Sequence, residues 1–119
     1  MKRLIPWMFG LLLAVPVLAG ETRELTLLNI KYQGKVMWLP GAIVVKKGEH
    51  VKLTLINNVP EDPAVHGFNI PDFNVQAEVV RSTPTVVEFD ATKAGLFETN
   101  CQLHPGHLHG QLLVIDDKK

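Results

Sequence analysis

The feature that most constrains the fold is a succession of short β-rich segments separated by turn residues. Several alternate apolar with polar residues, which is the period of a half-buried strand. The expected strands are Leu25–Tyr32, Val36–Leu39, Ala42–Val45, Val51–Ile56, His66–Ile70, Thr85–Phe89, Leu96–Cys101 and Gln111–Ile115, while 73–81 is ambiguous between loop, irregular strand and helical turn. Seven or eight strands at intervals of roughly ten residues predict an all-β, Greek-key β-sandwich.

The first nineteen residues have the pattern of a secretory signal. Lys2 and Arg3 give a positive start, Leu4–Leu18 is almost wholly apolar, and the small residue Ala19 closes a signal-peptidase motif. The apolar stretch is shorter than the roughly 20 residues of a comfortable membrane span. We therefore expect cleavage and a periplasmic or secreted protein, with an uncleaved N-terminal anchor as the alternative.

The mature part, residues 20–119, is expected to be a single domain. Without Lys2 and Arg3 it carries ten basic and twelve acidic residues, a net charge of −2 with histidine neutral. The sequence has no basic patch of the kind that would indicate nucleic-acid binding. A hundred residues can bury the core of a β-sandwich without covalent cross-links. This matters because a single cysteine cannot form an internal disulfide.

That cysteine, Cys101, lies upstream of three of the five histidines, His104, His107 and His109. A thiolate and imidazoles in one short loop suit a soft or borderline metal ion, copper or zinc first. Ligation would also explain why a lone cysteine stays unoxidised in an oxidising compartment, since a metal-bound thiolate is already deprotonated and engaged. The loop therefore predicts a metal site.

The order of features along the mature chain resembles the cupredoxins, small exported copper proteins. The resemblance rests on the glycine-turn hairpin of Val44–Asn57, on His66-Gly67-Phe68, and on the approach Phe89–Cys101 to the closing loop. Within that family, 67–76 (GFNIPDFNVQ) and 101–109 (CQLHPGHLH) are similar to the nitrosocyanin-like red copper proteins. The resemblance implies a cupredoxin sandwich that holds one copper ion per chain.

The resemblance implies a ligand set of His66, Cys101, His104 and His109. His66 is the ligand from mid-sequence, and the other three come from the closing loop. The choice of fourth ligand between His109 and His107 stays open, because the distance of His107 from Cys101 in the sequence matches the ligand spacing of shorter cupredoxin loops. The sequence departs from nitrosocyanin at His66, where that protein carries a glutamate, so its copper chemistry does not carry over whole.

Three imidazoles and a thiolate are stronger donors than the usual set with a distant thioether, so we expect a lowered reduction potential and a green, yellow or red centre. The first expectation is a one-electron carrier with no catalytic residues and a transient redox partner. The alternatives are a catalytic copper site acting on small oxygen or nitrogen species, periplasmic copper handling, and a structural zinc site. A monomer is the default, although the hairpin expected over 24–40 offers a surface for an oligomer.

Overall fold

The computed structural model describes residues 21–117, so the expected signal, residues 1–19, lies outside the described residues. The described chain folds into nine strands and one 3-10 turn, Pro71–Phe73. No helix in this part has the length and apolarity that crossing a bilayer requires. The strands are β1 (Thr22–Tyr32), β2 (Lys35–Leu39), β3 (Ala42–Lys46), β4 (His50–Asn57), β5 (Val65–Ile70), β6 (Val75–Val80), β7 (Thr85–Asp90), β8 (Gly95–Thr99) and β9 (Gly110–Ile115).

The strands form two main sheets and a two-stranded pair. One sheet has the order β2-β1-β4-β7, the other has the order β3-β9-β8, and β5 pairs with β6. Two neighbouring pairs are parallel, β1 with β4 and β3 with β9, whereas the remaining pairs are antiparallel. The all-β sandwich predicted from the sequence is confirmed.

The core follows from the period-2 alternation of the strands. In β4 the residues Val51, Leu53 and Leu55 are fully buried, while the residues between them are partly exposed. Matching apolar positions of the other strands complete a single cluster, which includes Leu27, Ile43, Phe68, Ile70, Val79, Leu112 and Val114. Because a shift of one residue would turn these side chains to solvent, this pattern fixes the register of each strand.

A two-residue turn joins β1 to β2. Gln33 and Gly34 both have positive φ, +50° and +79°, which is the geometry of a type I′ turn and matches the twist of a hairpin. The hairpin expected over 24–40 is therefore present. Its second strand also reaches the closing loop, because Leu108 donates a backbone hydrogen bond of 3.0 Å to the carbonyl oxygen of Val36.

The ambiguous segment 73–81 contains the strand that raises the count to nine. Pro71–Phe73 forms the 3-10 turn and Asn74 follows in the left-handed region, φ +59°. Beyond Asn74, β6 alternates normally, with Val75 and Val79 buried and Gln76 exposed. The turn and the left-handed residue interrupt the period at the start of the strand, which is why the pattern was ambiguous there.

Candidate metal centre

A backbone contact between β5 and the end of β8 brings the mid-sequence histidine next to the cysteine. Asn69 and Asn100 exchange two backbone hydrogen bonds, of 2.9 and 3.0 Å. Cys101 then follows directly opposite the start of β5, where the backbone N–H of Gly67 donates to its Sγ across 3.1 Å. Two rigid strands thus hold His66 and Cys101 side by side.

Two successive turns bring the next histidines back toward the cysteine. The backbone N–H of His104 donates to the carbonyl oxygen of Cys101 at 3.1 Å, and that of His107 donates to the carbonyl oxygen of His104 at 3.0 Å. Each turn advances the chain by three residues, so the side chains of residues 101, 104 and 107 converge instead of alternating as they would along a strand.

The result is a group of four potential metal ligands, the donor cluster, formed by His66, Cys101, His104 and His107. One ligand atom from each residue lies within 4.8 Å of the others. The imidazole centroids are 4.6 to 5.2 Å apart, and the Cys101 Sγ is 3.4 Å from His104 Nδ1. Cys101 and His66 are buried, whereas His104 and His107 are partly exposed.

The ring nitrogens of the cluster are short of hydrogen-bond partners. Both nitrogens of His66 and the Nδ1 of His107 are buried, and none of these three atoms has a partner among the described residues. A buried polar atom without a partner normally costs about 1–3 kcal/mol. One thiolate and three imidazoles are also a donor set that copper and zinc accept. The residues therefore fit a single metal ion.

The imidazoles of His66 and His107 are neutral near pH 7. Burial lowers the pKa of His66 to about 4, with further lowering from the neighbouring His104 and His107 and from Arg81. Burial also lowers the pKa of His107, and His104 adds to that effect. A neutral imidazole has a free lone pair, so protons do not compete with a metal for these nitrogens at neutral pH.

The family profile of the cupredoxin-like domain matches residues 4–114, which is nearly the whole chain. The chain belongs to the cupredoxin family. A search of curated protein sequences found no match.

Solved structures show the same fold. The cupredoxin is similar to a copper nitrite reductase from Nitrosomonas europaea, with 16% identity and a TM-score of 0.66 over 82% of this chain and 42% of that one. It is similar to a copper binding protein in the apo form, with 23% identity and a TM-score of 0.61 over 82% of this chain and 98% of that one. It also resembles the periplasmic domain of cytochrome oxidase subunit II of Bradyrhizobium japonicum, with 15% identity and a TM-score of 0.58 over 77% of this chain and 84% of that one. The chain thus spans less than half of the nitrite reductase.

The structure brings together three of the four residues expected as ligands and places the fourth elsewhere. His66, Cys101 and His104 lie in the donor cluster, and His107 is the third imidazole. The half-exposed His109 instead has its Nδ1 against the Oε2 of Glu98, at 2.5 Å, and its Nε2 3.3 Å from the carbonyl oxygen of Pro105. The spacing that favoured His109 therefore does not bring it into the cluster in this conformation.

Two residues beside the cluster were missed in the sequence. Trp38 donates its indole N–H to the carbonyl oxygen of Gly67 at 2.8 Å, and Gln102 donates its side-chain amide to the carbonyl oxygen of Ala77 at 3.0 Å. The first bond holds β5 against β2, and the second holds β6 against the closing loop, so together they help to keep the Gly67 N–H directed at Cys101. For Gln102, the only sign in the sequence that it could support the cluster was its position directly after Cys101.

Proposed function

We propose that this cupredoxin is an exported mononuclear copper protein that carries single electrons. The observation that carries the proposal is the donor cluster, in which a buried thiol and three imidazoles converge and His66 has no other polar partner among the described residues. A soft thiolate with imidazoles favours copper over harder cations. Copper bound there would supply reversible one-electron chemistry.

Each ligand in this proposal has a distinct role. Cys101 would bind copper as a thiolate, and the Gly67 N–H, which donates a hydrogen bond to its Sγ, would stabilise that thiolate. His66 and His104 are the two imidazoles that the family resemblance implies. We propose His107 as the fourth ligand because it lies in the cluster. His109 is the alternative, and it would have to leave Glu98 to take that position.

The fold supports electron transfer better than a reaction that rearranges ligands. β5 and the end of β8 are joined at the backbone, and a further hydrogen bond ties the closing loop to β2. Ligands fixed on rigid elements move little when the charge of the metal changes. Small movement keeps the reorganisation energy low, and a fast electron carrier depends on this property.

The surface around the closing loop suits a transient redox partner. His104 is partly exposed, and it is surrounded in sequence by exposed Leu103, Pro105 and Gly106, with Leu108 exposed beyond them. A small apolar contact of this kind favours a brief encounter over a tight complex. We propose a redox protein as the partner, a monomer as the working unit, and the periplasm or the cell exterior as the location, where residues 1–19 would direct it.

The decisive experiment is an optical and EPR spectrum of residues 20–119 with one equivalent of Cu(II). A strong sulfur-to-copper band that bleaches with a mild reductant and returns on oxidation is the expected result. A folded protein without that band, or one that takes up zinc in preference to copper, would overturn the proposal and leave a structural metal site. Copper bound with the thiolate band, yet lost on each reduction, would indicate copper handling instead.

A further inference from the structure

Gly67 departs from the alternating burial of β5. His66, Gly67 and Phe68 are all buried, although successive residues of a strand face opposite sides of it. His66 and Phe68 therefore share one face, and Gly67 lies on the other. Val65 and Asn69, its neighbours on that second face, are only partly buried. A group outside the core must therefore cover Gly67.

The side chain of Gln102 provides this cover. A Cβ at Gly67 would overlap the Gln102 Oε1, and it would lie 2.5 and 2.8 Å from the Cδ and Nε2 of the same amide. The amide thus lies in the space that any larger residue at position 67 would need. The φ angle of Gly67 is not positive, so Gln102, and not the backbone conformation, makes glycine necessary here.

Beyond Gly67, the same amide reaches β6. Gln102 donates from Nε2 to the carbonyl oxygen of Ala77 at 3.0 Å, and Ala77 is paired in register with Phe68 of β5. Gln102 itself follows Cys101 at the start of the closing loop. Its side chain therefore runs from the closing loop, across β5 at Gly67, to the far strand of the β5–β6 pair. We call this arrangement the Gln102 strap.

Covering Gly67 does not by itself require a glutamine. The Oε1 of Gln102 is buried and has no hydrogen-bond partner among the described residues. Burial of an unpartnered amide oxygen lowers stability, and a leucine of similar size would cover Gly67 without that loss. The bond from Nε2 to Ala77 is what distinguishes the glutamine from an apolar residue, because it ties the loop to β6.

The strap acts next to the hydrogen bond that the thiolate would receive. The Gly67 N–H donates to the Cys101 Sγ at 3.1 Å, and the strap joins the residue after Cys101 to Gly67 and to β6. A hydrogen bond to a thiolate withdraws electron density from sulfur. A sulfur that donates less density stabilises Cu(II) less, which raises the reduction potential.

We propose that Gln102 is a positioning residue that, as a matched pair with Gly67, holds the Gly67 N–H on the Cys101 sulfur and thereby raises the reduction potential of the centre. The inference rests on the proposed function, because the potential is a property of the copper-loaded protein. It deepens that function by assigning control of the potential to a residue that is not itself a ligand.

The first test is cyclic voltammetry and optical spectroscopy of copper-loaded Gln102→Ala. We expect a lower reduction potential and a thiolate band at lower energy, because the sulfur electrons are then held less tightly. Gln102→Leu keeps most of the bulk but cannot donate to Ala77, so it should change both quantities in the same direction. Gln76→Ala is the matched control, since it makes the same change at an exposed position of β6 and should alter neither.

A pair of substitutions tests whether Gly67 and Gln102 share one space. Gly67→Ala should weaken Cu(II) binding by about tenfold to hundredfold, the range for residues that support metal ligands, because the new methyl group displaces the strap. Adding Gln102→Ala removes the colliding amide, so the double variant should bind Cu(II) within about threefold of Gln102→Ala alone. Losses that simply add would show that the amide does not occupy this space and would overturn the inference.

A measurement on the metal-free protein separates this inference from the proposed function. In NMR hydrogen exchange, Gln102→Ala should speed the exchange of the Gly67 amide by about tenfold or more, as local opening removes its protection, whereas Gln76→Ala should not. Unchanged exchange and potential in Gln102→Ala, or wild-type values in Gln102→Leu, would overturn the positioning role and leave the electron carrier standing. Absence of the thiolate band in the unchanged protein would overturn the electron carrier and, with it, the control of the potential.

Discussion

At the scale of single residues, the donor cluster contains buried ring nitrogens that have no hydrogen-bond partner among the described residues. Most buried polar atoms in folded proteins are hydrogen-bonded, and Asn57 shows that rule nearby, since its side chain bonds to the backbone of Val59, Ala64 and Val79. His66 is equally buried and has no such bond within the described chain. Asn29 is also fully buried with both side-chain polar atoms unpartnered in the described chain, so missing hydrogen bonds alone do not mark a ligand. His66 differs from Asn29 because Cys101, His104 and His107 converge on it.

The thiolate is the residue on which the colour of the centre depends. Cys101→Ser should abolish nearly all of the intense visible band on Cu(II) addition, because an alkoxide or hydroxyl ligand lacks the sulfur-to-copper transition. Absorbance per bound copper measures this. Far-UV circular dichroism of the same sample shows whether the sandwich is retained, and a variant that keeps the band would place the metal away from Cys101.

The fourth ligand is decided by a pair of methionine substitutions. His107→Met should shift the spectrum toward blue and raise the reduction potential, because a thioether stabilises Cu(II) less than an imidazole does. His109→Met should leave both unchanged, since His109 lies with Glu98 outside the donor cluster. Optical spectra and cyclic voltammetry give the answer, and the reverse result would assign the position to His109.

The spacing of histidines could be predicted from the sequence only in part. The family pattern predicts that His66, Cys101 and His104 come together, because it fixes their positions relative to strand ends, and these three residues do lie in the donor cluster. His107 and His109 differ by two residues in a loop that contains proline and glycine, and there the choice depends on backbone turns. The second turn, from His104 to His107, has no regular period from which it can be read.

At the scale of elements, the closing loop is limited by the glycine at its end. A Cβ at Gly110 would overlap the carbonyl oxygen of Gly41 and would lie 2.8 Å from the Oγ1 of Thr99. Gly110→Ala must therefore displace backbone at the start of β9, and we expect a loss of about 2 kcal/mol or more in the free energy of unfolding.

The matched control lies in the same loop. A methyl group added at Gly106 would meet no heavy atom within 4 Å, so Gly106→Ala should change the free energy of unfolding by less than about 0.5 kcal/mol. Urea denaturation of the metal-free variants measures both values. Equal stabilities would show that β9 tolerates movement relative to Gly41.

Element boundaries show where the sequence is and is not informative. Alternation predicted β4 and β7 closely, because both strands have one buried face. The segment of β6 was ambiguous between loop, irregular strand and helical turn, because the turn at Pro71–Phe73 and the left-handed Asn74 precede it. A short strand after such a break has too few residues to establish a period. The hairpin expected over 24–40, by comparison, is present as β1 and β2.

At the scale of the whole molecule, the order of strands is the part that local pattern cannot supply. The parallel pairing of β1 with β4 and of β3 with β9 joins segments that are distant in the chain. Only the family resemblance implied that arrangement. Another long-range contact, the backbone bridge between Asn69 and Asn100, makes residues 66 and 101 neighbours, so the stability of the fold and the geometry of the cluster are coupled.

That coupling predicts a pH dependence of the metal-free protein in which two histidines act in opposite directions. Burial lowers the pKa of His66 to about 4, so the unfolded chain, with a histidine pKa near 6.5, binds this proton more readily. The stability that depends on neutral His66 is present above pH 6.5 and is lost as the pH falls toward 4, by about 3 kcal/mol in all. His66→Gln should remove that loss.

His50 behaves in the reverse way. Hydrogen bonds to Glu88 and then Asp90, both 2.7 Å from its ring nitrogens, raise its pKa. Its contribution is therefore fully present below pH 6.5 and is lost as the pH rises through the raised value in the folded protein. His50→Gln should lower stability in acid and have no effect in alkali. Urea unfolding between pH 4 and 9 measures both variants, and a His50→Gln penalty that is constant with pH would show that packing, rather than the protonated imidazole, stabilises this edge of the sheet.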